Sequence, residues 1–222
     1  MEIFFKEHIR SLDAAIENFP WNNRSAYAQF LAQTYYYVAH STRLLAVSAS
    51  RFSIMQEDLH RRFIKHMSEE KGHHLIAEFD LKNLGLSLSL FPELSTTKAF
   101  YECQYYKSSY LDPITLFGYI LALEGLSVTQ GKFIHKQALE SFGERATGFL
   151  RVHCEDDVEH IQSAFKHINQ LNEGQTQMIK DNFHQTCTMY GIFLSEIVKA
   201  SSRHEYDSIH KIVQDIPSKA TA

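Results

Sequence analysis

The chain reads His153-Cys154-Glu155-Asp156-Asp157-Val158-Glu159-His160 within a region of helical periodicity. Three side chains that can bind a metal recur there at i, i+4 and i+7, namely His153, Asp157 and His160. Because an α-helix turns once in roughly 3.6 residues, side chains three or four positions apart lie on one face. The three therefore form a stripe. Imidazole and carboxylate without thiolate suit iron or manganese better than a zinc-thiolate site.

Two further motifs carry similar side chains. Glu70 and His73 are three positions apart in a predicted helix, and Glu124 is the only charged residue in the apolar run 117–126. A carboxylate in such a run is expected to be buried. A buried carboxylate must be paired or bound to a metal, because removing its charge from water is costly. A metal ligand and a buried salt bridge are the two interpretations of Glu124.

Helical periodicity runs through nearly the whole sequence. Only four prolines and nine glycines occur in 222 residues, mainly between long periodic segments. The pattern predicts about seven helices, at 2–18, 23–51, 56–84, 95–110, 112–141, 144–170 and 172–201. No segment shows the alternation of a strand, so the fold class is all-α. In helical bundles, metal sites are built from inward-facing side chains on opposed helices.

Composition limits the other possibilities. The length and the 44% of hydrophobic residues suit one core, so residues 1–222 are predicted to form a single domain, with 202–222 a docked or frayed tail. Apolar runs are shorter than the ~18 residues of a membrane span and no signal peptide is evident, so a cytoplasmic protein without a membrane span is expected. A net charge of −4 without a basic stripe argues against nucleic acid. The three cysteines lack a Cys-x-x-Cys pair, so neither a disulfide framework nor a thiolate site is predicted.

Taken together, the motifs resemble the haem-oxygenase-like di-iron oxidases and oxygenases, a family related in fold to thiaminase II and pyrroloquinoline-quinone synthase. The resemblance rests on Glu70-Lys71-Gly72-His73, on Leu123-Glu124-Gly125 and on the stripe from 153 to 160, and it spans about 25 to 200. It implies a haem-oxygenase-like bundle with two ferrous (Fe²⁺) ions per chain, manganese or a mixed pair being alternatives. The implied ligands are Glu70, His73, Glu124, His153, Asp157 and His160. Glu69 and even His66 compete with Glu70 for the first position.

This resemblance also implies a function. It predicts an enzyme that activates O2 to oxidise a small organic substrate, one that carries a carboxylate or an amine in several family precedents. Arg43 and Tyr36 are the candidate substrate contacts. One alternative is a metal-free enzyme, either a thiaminase II or a cofactorless oxidase, which needs a pocket cysteine or a histidine cluster. The other is a non-catalytic iron-binding or protein-interaction module. The oligomeric state stays open, with a homodimer as one alternative because bundles of this fold often pair through a helical face.

Overall fold

Long α-helices make up the chain in this computed structural model, which describes residues 2–202. The side chains outside the description within that range are those of Glu2, Ile3, Glu155, Asp156, Val158 and Glu159. The helices are α1 (Glu2–Ile9), α2 (Asp13–Glu17), α3 (Arg24–Val38), α4 (Ser41–Arg51), α5 (Glu57–Glu69), α6 (His73–Asn83), α7 (Ser95–Tyr110), α8 (Leu116–Phe142), α9 (Gly148–Ile168) and α10 (Glu173–Ser201). No strand occurs between residues 2 and 202, which confirms the all-α class. The predicted tail lies outside the described residues beyond Ser202.

Local sequence signals set several helix ends. The Asn23 side chain accepts a hydrogen bond of 3.0 Å from the Ala26 amide at the start of α3. Asn172 and Gln175 form a reciprocal capping box at the start of α10. Gly143, with φ of 75°, separates α8 from α9. These caps satisfy amides that have no partner inside a helix, so the chain changes direction at low cost.

Three of the predicted helices are broken in the structure. The segment 2–18 is interrupted by the 3-10 turn Arg10–Leu12, and 23–51 divides at Ala39 and His40. The segment 56–84 divides at Gly72, whose φ of 90° ends the helical path. Glu70 therefore caps the end of α5 while His73 begins α6. The prediction that this pair shares one continuous helix is wrong.

Helix α8 is the central element and packs most extensively against α9 and α10, while α3 packs on α6 and α4 on α5. Glycines allow two of these close approaches. A Cβ atom on Gly118 would lie 2.4 Å from the Ile179 carbonyl oxygen of α10, and one on Gly131 would lie 2.6 Å from Cys154 Sγ of α9. Fully buried aromatic side chains fill the core between the helices: Tyr27, Phe63, Phe100, Phe117, Phe183 and Phe193. Every helix within 2–202 is too short or too polar to cross a bilayer.

Candidate metal centre

Carboxylates and imidazoles from α5, α6, α8 and α9 converge inside the bundle. The first group lies between α8 and α9. Glu124 Oε1 is 3.4 Å from Nδ1 of His160, and Oδ1 of Asp157 is 3.6 Å from the same nitrogen. Glu124 and Asp157 are both buried. The i, i+3 spacing of Asp157 and His160 on α9 places both side chains toward Glu124.

Glu70, His73 and His153 form the second group. One ligand atom from each lies within 4.8 Å of the others, and the rings of His73 and His153 have centroids 4.9 Å apart. His153 Nδ1 lies 2.8 Å from the carbonyl oxygen of Phe149, one turn earlier on α9. A carbonyl only accepts, so Nδ1 carries the proton and Nε2 keeps a lone pair. This arrangement is typical of metal-binding histidines, which commonly donate their second nitrogen to such a group.

The two competing residues on α5 also lie close to these groups. Glu69 Oε2 is 3.4 Å from His160 Nε2, but its side chain is 34% exposed and pairs with Lys65 at 3.2 Å. Nε2 of His66 lies 2.9 Å from Glu124 Oε1 and 3.6 Å from Glu70 Oε1. Distance alone therefore makes His66 a member of a four-residue cluster with Glu70, Glu124 and His160.

The buried charges perturb one another strongly. The neighbouring carboxylates of Asp157 and Glu124 raise the pKa of His160 to about 10. Burial raises the pKa of Glu124, but His66 and His160 outweigh burial and the pKa ends below its usual value. Burial likewise raises and His66 lowers the pKa of Glu70, with a net decrease. Burial is the main cause of the raised pKa of Asp157. The lowered pKa values keep Glu70 and Glu124 negatively charged, and their charge favours positive groups in the same volume.

Several atoms of the cluster fit a metal ion better than they fit each other. Both Glu124 oxygens and His160 Nδ1 are fully buried, and none makes an aligned hydrogen bond with a group that the structure describes. Glu124 Oε1 lies 2.9 Å from His66 Nε2 and 3.4 Å from His160 Nδ1. Both distances are short enough for a hydrogen bond, so the angles and not the distances prevent it. Buried polar atoms are rarely left unsatisfied, and oxygen and imidazole donors directed at a shared point suit a divalent cation.

An apolar cavity of about 110 Å³ adjoins the cluster. Its wall includes the candidate ligands Glu70, Glu124, His153 and Asp157. The remainder consists mainly of aliphatic and aromatic side chains, and no lysine or arginine lines it within the described part of the chain. Tyr119 is in this wall, and its buried hydroxyl has no hydrogen-bond partner among the described groups. Burial raises the pKa of Tyr119 well above 10.0, so the hydroxyl remains a donor.

The predicted substrate contacts lie elsewhere. Arg43 is on α4, is exposed, and donates to the Ala39 carbonyl oxygen. The Tyr36 hydroxyl donates to the Phe91 carbonyl oxygen at 2.9 Å. Neither belongs to the cavity wall. Cys154 is also absent from this wall, and its sulfur lies against Gly131 of α8.

Asp80 links α6 to the helix that carries the stripe. Its Oδ1 accepts from the Gly148 amide at 3.1 Å, and its Oδ2 accepts from the Phe149 amide at 2.7 Å. The carboxylate thus caps the first turn of α9, one turn before His153. Burial raises the pKa of Asp80 to about 6, although the two amides act in the opposite direction. Nothing in the spacing around Asp80 indicates this role, since the contact joins residues 69 positions apart.

Stability should therefore depend on pH through Asp80. Its folded pKa of about 6 exceeds the usual 3.8, so folding favours the protonated form. Protonated Asp80 therefore contributes on the order of 3 kcal/mol to the free energy of unfolding below about pH 4. This contribution is lost as the pH rises through about 6. We expect chemical denaturation of the metal-free protein to show this loss relative to Asp80→Asn. An equal pH profile for both proteins would contradict it, and exposed Asp181→Asn is the matched control.

The helix order and the cluster between α5, α6, α8 and α9 define a haem-oxygenase-like all-α protein. A solved domain of unknown function with a heme oxygenase-like fold, from Shewanella denitrificans, superposes with a TM-score of 0.79 at 16% identity, covering 98% of this chain and 96% of its own. A TenA homologue from Pyrococcus furiosus gives 0.68 at 16% identity, with 87% and 99% covered. A TenA homologue from Pseudomonas syringae gives 0.71 at 12% identity, with 87% and 92% covered.

A family-level match covers most of the chain. Residues 28–191 match the family described as iron-containing redox enzyme, and the chain belongs to that family. The search of curated protein sequences found no match to this chain. The match confirms the family resemblance, and the solved structures confirm the fold.

Proposed function

We propose that the protein is a non-haem di-iron enzyme that uses O2 to oxidise a small organic molecule. The observation that supports this most directly is the convergence of two groups, Glu124 with Asp157 and His160, and Glu70 with His73 and His153, beside an apolar cavity. Each group combines carboxylate with imidazole, the ligand types of iron in helical bundles. Membership of an iron-containing redox enzyme family supports the same proposal.

In this proposal the protein supplies position and environment. Glu70 and His73 hold the cofactor from the α5–α6 turn, Glu124 from α8, and the three stripe residues from α9. The iron pair supplies the redox chemistry with O2 when bound. The protein's side chains exclude water from the cavity and place the substrate beside the cluster. Bound metal would displace protons from the imidazoles, because a histidine ligand must offer a lone pair.

The cavity favours an uncharged substrate. It lacks a lysine or arginine among the described residues that line it, so a carboxylate away from the metals would be uncompensated. A cavity of about 150 Å³ can hold benzene, so one of about 110 Å³ suits a comparably small group. Tyr119 offers a hydrogen bond to an acceptor on that group. The proposed substrate is therefore a small uncharged molecule, in place of the carboxylate- or amine-bearing substrate anchored by Arg43 that the sequence suggested.

Ligand binding can test this substrate class without activity. We expect benzyl alcohol to raise the melting temperature more than equal concentrations of benzoate do. Replacing Tyr119 with phenylalanine should weaken the binding of benzyl alcohol. The binding of toluene should not change, because toluene accepts no hydrogen bond. Equal stabilisation by benzoate, or equal losses for both neutral ligands, would contradict the assignment.

The metal-free alternative has less support from the cavity. A nucleophilic thiol would have to lie against the substrate with a lowered pKa. Burial instead raises the pKa of Cys103, and it raises that of Cys187 to about 12. None of the three cysteines belongs to the described wall of the cavity. The buried carboxylates would also be left without a chemical role.

Iron titration tests the proposed function. Protein purified without metal should bind two equivalents of ferrous iron under anaerobic conditions. The loaded protein should then consume O2 in the presence of a reductant. Absence of iron binding would refute the proposal, and iron binding without O2 consumption would support the non-catalytic module instead.

The first carboxylate ligand can be tested by a matched pair of variants. We expect Glu70→Gln to reduce ferrous iron binding by at least one equivalent, because Glu70 is buried between His66 and His73. Glu69→Gln should keep normal binding, because Glu69 is partly exposed and pairs with Lys65. Stoichiometry by colorimetric iron analysis after desalting gives the readout. The reverse pattern would assign the ligand to Glu69.

A further inference from the structure

A buried arginine lies directly behind the candidate metal centre. Arg62 is on α5, one turn before His66, and is only 7% exposed. Its guanidinium lies over the ring of Phe117 at 5.2 Å and that of Phe63 at 5.7 Å, and Nη2 reaches the His160 carbonyl oxygen at 3.4 Å. A charge buried this deeply is costly unless it is matched by neighbouring groups. The orientation of the Arg62 guanidinium is therefore set by its protein contacts and not by solvent.

Arg62 Nη1 lies 2.6 Å from Nδ1 of His66. A guanidinium has only donors, so Nδ1 must be the acceptor and must present its lone pair. Rotating the ring by a half turn would place a carbon 2.6 Å from Nη1, far inside the ~3.5 Å of ordinary carbon contacts. A doubly protonated ring would place two donors face to face at this distance. The contact therefore selects the neutral ring whose proton is on Nε2.

That proton is directed into the carboxylate cluster. Nε2 of His66 lies 2.9 Å from Glu124 Oε1 and 3.6 Å from Glu70 Oε1. A nitrogen that carries a proton has no lone pair for a metal. His66 is close enough to be a ligand, yet in this tautomer its Nε2 presents a proton, not a lone pair, toward the carboxylates.

His153 provides the opposite case within the same site. Its Nδ1 faces a carbonyl, which only accepts, and not a guanidinium, which only donates. The Nε2 of His153 therefore keeps the lone pair that the Nε2 of His66 lacks. Two imidazoles of the candidate metal centre are thus assigned different roles by the groups behind them.

We propose that Arg62 holds His66 in the Nε2-protonated form, so that His66 is a positioning residue for Glu124 and not a metal ligand. The tautomer assignment stands on the contact between Arg62 and His66, while the statement about ligands rests on the proposed function. In this arrangement Arg62 acts through His66 to orient a carboxylate. The remaining candidate ligands are three acids and three histidines.

Nitrogen NMR of the metal-free protein tests the tautomer directly. With histidine labelled by ¹⁵N, His66 should show a protonated Nε2 and a bare Nδ1, and His153 should show the reverse. Arg62→Met removes the guanidinium but keeps most of the volume, so His66 should then populate the Nδ1-protonated form. A protonated Nδ1 on His66 in the wild type would overturn the proposal. So would an unchanged tautomer in Arg62→Met.

Iron stoichiometry tests the ligand statement. His66→Gln supplies an acceptor toward Arg62 and a donor toward Glu124, so it should keep the wild-type iron stoichiometry. His153→Gln replaces a ligand and should lose at least one equivalent. Equal losses in both variants would overturn the ligand statement. If the wild type binds no iron, the proposed function fails while the NMR result still decides the tautomer.

Discussion

Glu124→Gln is expected to remove at least one equivalent of bound ferrous iron without a change in helix content. The substitution preserves volume but replaces a charged candidate ligand by a neutral amide. It also removes the negative charge that lies 3.4 Å from His160, whose raised pKa favours the charged imidazolium. Breaking a buried ion pair costs about 3–5 kcal/mol. The free energy of unfolding of the metal-free variant should therefore be about 3 kcal/mol below that of the metal-free wild type. Iron titration and urea denaturation measure the two effects.

The matched control for this substitution lies on the same helix. Glu140 is exposed, and its distance to Lys136 is 3.9 Å. Glu140→Gln should leave both iron binding and stability close to wild type, because exposed ion pairs contribute little. Wild-type iron binding in Glu124→Gln would show that Glu124 serves only as a structural counter-ion. Iron should also raise the melting temperature of the wild type more than that of Glu124→Gln, since a ligand stabilises the state that binds it.

Gly118→Ala is expected to be the most destabilising small substitution in the core. The added Cβ would lie 2.4 Å from the Ile179 carbonyl oxygen, 2.7 Å from the Phe183 amide nitrogen and 2.9 Å from Asn182 Cβ. Two of these atoms belong to backbone and cannot move without displacing α10. Overpacking of this kind costs about 3 kcal/mol. For a protein of this size the melting temperature should fall by about 6–12 °C.

Gly191→Ala is the matched control on α10. Its added Cβ would meet only Leu12 Cδ2, at 3.6 Å, which is an ordinary contact. Because glycine in the middle of a helix is disfavoured relative to alanine, this variant should gain about 0.5–1 kcal/mol. Thermal unfolding followed by circular dichroism gives both values. A small loss for Gly118→Ala would mean that α8 and α10 can separate without penalty.

Helix positions could be predicted from sequence because burial repeats with the helical period. The breaks were harder to predict for different reasons. At Ala39 and His40 the backbone stays in the right-handed region, and neither residue is glycine or proline. We attribute that change of direction to tertiary packing, since α3 packs on α6 and α4 packs on α5. Gly72 was a usable signal, because its left-handed φ of 90° is a conformation that glycine adopts readily.

Candidate ligands could be predicted where spacing within one helix was enough. His153, Asp157 and His160 face the cluster because α9 is continuous through them. Which groups they meet across helices depends on packing, so the sequence left His66, Glu69 and Glu70 in competition. Arg62 was missed, although its position four residues before His66 offered an i, i+4 signal.

The capping contact of Asp80 has a consequence for how metal would enter the site. His73 begins α6 and His153 lies in the second turn of α9, and Asp80 joins these two helices by two hydrogen bonds. The spacing of the two imidazoles is therefore already set when the chain folds. This half of the candidate centre is preorganised, so its configurational entropy would be lost before any ion arrives. Uptake there should be limited by dehydration of the ion and not by rearrangement of the helices.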